Sequence, residues 1–249
     1  MVPSAEGFHI KYTALRITRV VATLAFVVSA AATASAQEPA GLALAPVPNT
    51  VLASDDFNRA ELGPNWVTVG GGDLYLNNGQ ISGVGTPSVP LSFAYWAEPS
   101  PSATQEVSAN VRWSGQNPAH SAAAVVLRAN PSRIPAAGAS GVQFWFVDNL
   151  MGIMYEDPDV PLKFRPALGT ESYVPTAKFP ENAQITLRAV GTTYTAYVNG
   201  TQVLQGTVPE SVVPLSQRTM GVQIQDDSMV ADGGEPPADF DDWVARYAA

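Results

Sequence analysis

Residues 185–206, ITLRAVGTTYTAYVNGTQVLQG, leave this chain few ways to fold. Ile185, Leu187 and Ala189 alternate with Thr186, Arg188 and Val190, the period of two of a half-buried strand. Gly191-Thr192 turns the chain. Tyr194, Ala196 and Val198 then alternate with Thr193, Thr195 and Tyr197, a run rich in β-branched and aromatic residues. Asn199-Gly200 follows, and this dipeptide accepts the two positive φ angles of a type I′ turn. The stretch therefore predicts three consecutive antiparallel strands joined by tight turns.

The same grammar runs through the rest of the chain. Residues 75–82 place a second Asn-Gly, Asn78-Gly79, between short strands, and residues 91–96 predict another strand. Residues 105–113 alternate Val107, Ala109, Val111 and Trp113 with Glu106, Ser108, Asn110 and Arg112. Residues 122–127 are continuously apolar, as expected of a central strand covered on both faces. Residues 141–147 and 150–156 flank Asp148-Asn149 as a further hairpin, and 158–180, with five prolines, reads mostly as loop. Strands follow at 220–225 and 240–247, with an acidic loop at 226–239. No stretch sustains a helical period. About a dozen short strands with frequent turns define an all-β class, a β-sandwich or a barrel.

Composition narrows the partners. After residue 36 there remain ten basic and 21 acidic residues, a net charge of −11, which argues against nucleic acid and anionic lipid. With no cysteine there is no disulfide framework, thiolate metal site or cysteine nucleophile. Residues 1–36 read as a secretory signal: Lys11, Arg16 and Arg19 precede the apolar run 20–28, and Ala34-Ser35-Ala36 offers a small-x-small cleavage site that leaves Gln37 first. The expectation is a secreted, extracellular protein with no membrane attachment after cleavage; an uncleaved anchor is the alternative. Residues 37–50 are an Ala/Pro-rich linker, and 51–249 form the single β-domain.

The order of DDFNRAELGPNW, NNGQISG, AAVVLRAN, ITLRAVGTTYTAYVNGTQVL and ADFDDWVARY resembles the concanavalin A-like lectin/glucanase superfamily, whose jelly roll (as in its LamG-like members) stacks two curved antiparallel sheets. The resemblance spans 51–247. It implies that the first and last strands pair, with Phe57 and Phe240 buried side by side. The β-glucan hydrolases of that superfamily carry E-x-D-x-x-E or E-x-D-x-E on one strand, because one carboxyl donates a proton while the other attacks. Neither motif occurs here, and the nearest acidic cluster, 156–159, reads as a solvated turn interrupted by Pro158.

Three kinds of site remain. Asp55, Asp56, Asp239 and Asp241 would supply the oxygens that calcium needs if the terminal strands pair; capped, solvated carboxylates are the alternative. Calcium is the one cofactor this pattern raises. Flat aromatics beside amides suit sugar rings. Tyr95, Trp96, Trp113, Trp145 and Tyr155 are the candidates, and alternation puts Gln143 with Trp145 opposite Phe144 and Phe146. If the two Phe fill the core, Gln143 and Trp145 face the concave sheet; if both faces are buried, Trp145 is core. Gln143, Trp145, Tyr155 and Trp113 are the expected ligand set. His120 reads as a loop histidine, since no G-x-S-x-G elbow accompanies it. Arg128 and Arg188 are expected to bridge acidic or backbone groups at strand edges. The expected function is a non-catalytic, monomeric module that binds an extracellular glycan. A glycoside hydrolase or polysaccharide lyase on the same scaffold, and a structural or adhesion domain without small ligand, stay open.

Overall fold

The computed structural model describes residues 46–70, 73–84, 91–113, 121–130, 141–147, 150–157, 159, 163–170, 174–175, 180, 182–226 and 238–249. The leader, most of the linker, the turn at 148–149, His120 and most of the acidic loop lie outside them. Among the described residues there is no helix. The strands are β1 (Thr50–Asp55), β2 (Trp66–Gly70), β3 (Asp73–Asn77), β4 (Gln80–Val84), β5 (Leu91–Trp96), β6 (Gln105–Trp113), β7 (Ser121–Ala129) and β8 (Val142–Val147). They continue with β9 (Leu150–Glu156), β10 (Phe164–Pro166), β11 (Val174–Pro175), β12 (Asn182–Val190), β13 (Thr193–Val198), β14 (Thr201–Thr207), β15 (Thr219–Asp226) and β16 (Ala238–Tyr247). The first sheet runs β14-β13-β12-β6-β16-β4-β3, with β1 also on β16; the second runs β10-β9-β8-β7-β15-β5-β2, with β11 also on β9. Every described pairing is antiparallel.

The expected three-strand unit is β12-β13-β14. Its Asn199-Gly200 turn has φ of 49° and 75°, and Asn78-Gly79 between β3 and β4 has 51° and 77°. Gly79 also sits close to the Asn58 side chain, whose Oδ1 would have to move from 2.4 Å of an added Cβ. One core fills the space between the sheets. Val107, Ala109, Val111, Ile185, Leu187, Phe240 and Trp243 come from the first, and Val125, Leu127, Phe144, Phe146, Ile153, Val222 and Ile224 from the second. As its unbroken apolar run predicts, β7 is buried on both faces. Arg128 at its end is fully buried and lies within the sandwich. Its Nη1 donates to Tyr194 Oη at 2.7 Å, and its Nη2 donates to the Ala103 carbonyl at 2.8 Å. Arg188 does meet an acid, Glu106, from the interior strand β12. Neither arginine therefore works from a sheet edge.

The ends of the domain close on each other. Asp55 stands opposite Trp243 and Thr50 opposite Tyr247. Phe57 and Phe240 are both fully buried in the one core. The described ring partner of Phe57 is Trp66, at 5.7 Å, and Trp66 in turn lies 4.7 Å from Trp243 and 5.5 Å from Trp96. These rings come from both sheets, so the seal is an aromatic cluster that spans the sandwich.

Asp55 fixes this cluster. Its carboxylate accepts from Phe57 N (2.8 Å), from both Arg59 guanidinium nitrogens (2.5 and 2.7 Å) and from Trp66 Nε1 (2.6 Å). Arg59 also donates from Nε to the Leu62 carbonyl. The opening DDFNRAELGPNW is thus a folded clasp. It also holds Phe57 at a φ of 52°, a left-handed conformation that a bulky side chain adopts only when its surroundings enforce it. Burial raises the Asp55 pKa, but the bonds from Arg59, Trp66 and Phe57, with the Arg59 charge, outweigh it and leave the carboxyl below its ordinary 3.8. A depressed carboxylate stabilises the fold above its unfolded pKa and loses that contribution as pH falls through the lower, folded value. Asp55→Ala is expected to cost about 3 kcal/mol in urea unfolding, because Arg59 and Trp66 lose their acceptor. The difference from the parent chain should begin to shrink below about pH 4, where the unfolded carboxyl protonates, and be lost as pH falls through the lower folded value.

Candidate functional site

The outer face of the second sheet departs from the usual solvated face of an antiparallel sheet. Two lines of side chains cross it. In one, Val67, Tyr95, Gly221, Val126, Gln143 and Met154 stand abreast on β2, β5, β15, β7, β8 and β9. In the next stand Val69, Phe93, Gln223, Ala124, Trp145 and Gly152. Phe93, Tyr95 and Val126 form a small apolar cluster of their own, with Val69 and Phe164 against it. The Phe93 and Tyr95 rings stack 5.9 Å apart.

Polar groups are set among these apolar ones. Tyr95, Gln143 and Gln223 are each at most 1% exposed, and Tyr95 Oη, Gln143 Nε2 and Gln223 Oε1 have no hydrogen-bond partner. Each such atom costs about 1–3 kcal/mol while unsatisfied. Buried Glu156 lies on the same face, two residues beyond Met154. Burial, and then the Glu156 charge, push the Tyr95 hydroxyl well above its ordinary value of 10.0. The phenol therefore keeps its proton and remains a donor. Together the face offers a donor phenol, two amides and a carboxylate, with Trp145 half-buried beside them.

Gly221 makes this packing possible. A Cβ there would lie 2.1 Å from the Ala94 carbonyl oxygen and 2.8 Å from Tyr95 Cδ1, so only glycine lets the Tyr95 ring lie across β15.

The structure divides the expected ligand set. Gln143 and Trp145 do share the outer face, while Phe144 and Phe146 fill the core. Tyr155 packs against the core from the opposite face of β9. Trp113 ends β6, a strand of the first sheet. These two do not join Trp145. Gln223 escaped notice because a glutamine in an alternating strand looks like any solvated residue; its register beside Phe93 and Ala124 is visible only once the sheet is assembled. The cluster at 156–159 corrects the expectation of a solvated turn. Glu156 and Asp157 are 5% and 3% exposed. Asp157 takes a hydrogen bond from Arg165 Nε at 2.7 Å, and the Asp159 backbone N–H, then Arg165, hold its carboxyl below the ordinary range.

The four aspartates considered for calcium lie on β1, just after it, and on β16. Asp55 is committed to Arg59 and Trp66, Asp56 accepts from Asn58 N, and buried Asp239 accepts from Ser82 Oγ. Among the described residues no group of three or more acids or histidines is gathered where it could hold a metal ion.

No protein-family model matches the sequence, and no curated protein matches it. Solved structures do match in fold. The Bacillus licheniformis β-glucanase aligns with a TM-score of 0.54 at 10% identity, over 81% of this chain and 99% of that one. A Bacillus subtilis protein of unknown function with a galectin-like fold gives 0.52 at 11%, over 82% and 99%. Lectin II from Ulex europaeus gives 0.51 at 14%, over 80% and 100%. The fold is the concanavalin A-like jelly roll. At these identities the likeness is one of architecture, shared by lectins and a glucanase alike.

Gly221→Ala is expected to lower stability by about 3 kcal/mol or more, since the added methyl meets backbone. Thermal unfolding, with near-ultraviolet circular dichroism reporting the Tyr95 and Phe93 stack, checks this.

Proposed function

We propose that this protein is a non-catalytic carbohydrate-binding module, and that its sugar site is the outer face of the second sheet around Trp145. The observation that carries the reading is the set of three buried polar atoms without partners, on Tyr95, Gln143 and Gln223. A purely structural sheet face gains nothing from them. These atoms are buried in the free protein, so a hydroxyl-rich ligand, which both donates and accepts, satisfies them by displacing what covers them, where an apolar ligand would leave them orphaned. Trp145 supplies the flat apolar surface on which a sugar ring stacks. Among the described residues Glu156 is the one carboxylate on this face, whereas glycoside hydrolysis by the usual route needs two. That favours binding over catalysis. A glycan partner outside the cell accords with the leader reading, in which export leaves Gln37 at the mature N-terminus. N-terminal sequencing of the exported protein should return Gln37; a retained leader would replace the cleaved, secreted form with the membrane-anchored one.

Stability and binding should part company at this face. Gln223→Leu removes a buried amide oxygen that has no partner and is expected to raise stability by about 1 kcal/mol. On a glycan array the same variant should bind more weakly, and Trp145→Ala should bind at least about tenfold more weakly, than the parent. Unchanged glycan binding by both variants would place the sugar elsewhere.

A further inference from the structure

The outer face of the first sheet carries a second line of polar side chains, unrelated to the Trp145 face. Asn77 stands opposite Gln80, Asp241 opposite Asn110, and Asn110 opposite Gln184. Gln80 falls beside Asp241, one residue on from the Phe240–Ile81 pair. Asn199 closes the line: its N–H donates to the Gln184 carbonyl at 2.8 Å, and its Oδ1 accepts from Gln184 N at 2.9 Å. Five amides and one carboxylate thus stand abreast at the inter-strand spacing of about 4.8 Å, a row about 24 Å long. An open hollow of ≈ 430 Å³ lies over its middle, with Arg112 and Asn182 also at its wall.

A larger hollow, ≈ 610 Å³, opens at the adjoining end of the sandwich, lined among others by Asp56, Arg59, Asn65, Trp96 and Trp243. Trp96 is half-buried there, and the fully buried Trp243 has an indole N–H without a partner. Asp242 joins the two hollows. A bulge in β16, with a φ of 47° at Asp242, puts it next to Asp241. Its Oδ2 accepts from Asn110 Nδ2 at 2.8 Å, while Asp242 itself lines the larger hollow.

This strip differs from the rest of its own sheet face. Elsewhere the polar groups satisfy one another: Glu106 bonds Arg188 at 2.6 Å and Arg246 at 3.5 Å, and Arg188 lies over the Tyr197 ring. In the strip, Asn199 and Asn110 are the amides bonded to neighbours, and the charges do not balance. With Asp55 and Arg59 paired, the described charges left along the two hollows are Asp56, Asp241 and Asp242 against Arg112. Burial raises the Asp241 carboxyl above its ordinary value, and the charges of Asp242 and Asp56 add to this against one bond from Asp242 N. An anionic ligand would be repelled. A run of amides suits a chain of hydroxyls, each able to donate and accept, and an indole at one end suits the apolar face of a ring.

We propose that the two hollows form one groove, from Trp96 through Asp242 and Asn110 to Gln184 and Asn199, that holds an extended uncharged polysaccharide chain as a second glycan-binding surface. The site is distinct from the Trp145 face and lies on the other sheet. Affinity gel electrophoresis of the full chain tests it, in gels cast with soluble β-glucan, xyloglucan or galactomannan, and in a control gel of polygalacturonate. At least one neutral polymer should retard the protein and polygalacturonate should not. The double variant N110L/Q184L, both on the solvent side of the sheet, should keep the parent melting temperature and bind about tenfold more weakly. Trp145→Ala should leave part of the retardation in place. Retardation unchanged in N110L/Q184L, or lost entirely in Trp145→Ala, overturns the groove while leaving the Trp145 site standing. Retardation by no neutral polymer overturns it as well, and retardation by polygalacturonate alone overturns the ligand class.

Discussion

One carboxylate ties the two layers of this sandwich together. Asp55 ends the first strand of one sheet, and Trp66 begins the first strand of the other; their 2.6 Å bond is a direct polar link between the sheets, as is the buried Arg128–Tyr194 bond between β7 and β13. Arg59 neutralises the charge, which makes its burial tolerable. The Phe57, Trp66, Trp96 and Trp243 rings then pack around the link, and β1 lies down on β16. Without that closure the edge of β16 beyond β4 would expose unpaired backbone groups. The same rings shape the end hollow, so its geometry follows from the clasp that completes the fold.

The strands were readable because period-two alternation and Asn-Gly turns are local signals. Ile185, Leu187 and Ala189 point into the core as their spacing requires, and the continuous run in β7 is buried on both faces. The opening segment was readable only as a resemblance. That Asp55 serves as an acceptor for three neighbours depends on where Trp66 returns, eleven residues on, and no local pattern carries that information. The same property made Asp55 look like a calcium ligand. A carboxylate with several acceptor positions suits a cation or a guanidinium equally well, and Arg59 donates to both oxygens of this one.

The candidate site was half legible for the same reason. Alternation alone puts Gln143 and Trp145 on one face and Phe144 and Phe146 on the other. Choosing partners for them is a non-local problem. Tyr155 has the right chemistry but the wrong parity, since Gly152, Met154 and Glu156 take the outer positions of β9. Trp113 has the right composition but lies on the other sheet. Gln223 and Tyr95 reach the site through strand order, with β15 and β5 beyond β7, and that order follows from how the strands pair across the whole chain.

A buried amide without a partner lowers stability, and nothing in the packing of an apolar sheet face requires one. Leucine is close to glutamine in volume and would fill the place of Gln223 beside Phe93 without orphaning an oxygen. Three such groups on one face are therefore hard to explain as packing. They are intelligible as a surface shaped for something outside the protein that brings its own donors and acceptors. The first sheet shows the contrasting solution: where its outer face needs polar groups only for solvation, Glu106, Arg188 and Arg246 satisfy one another. Single unsatisfied buried atoms also occur on Gln105, Arg128, Gln217 and Trp243 among the described residues, but three lie together on the Trp145 face, and that grouping, more than the jelly roll shared with lectins and glucanases, is the basis of the proposed recognition.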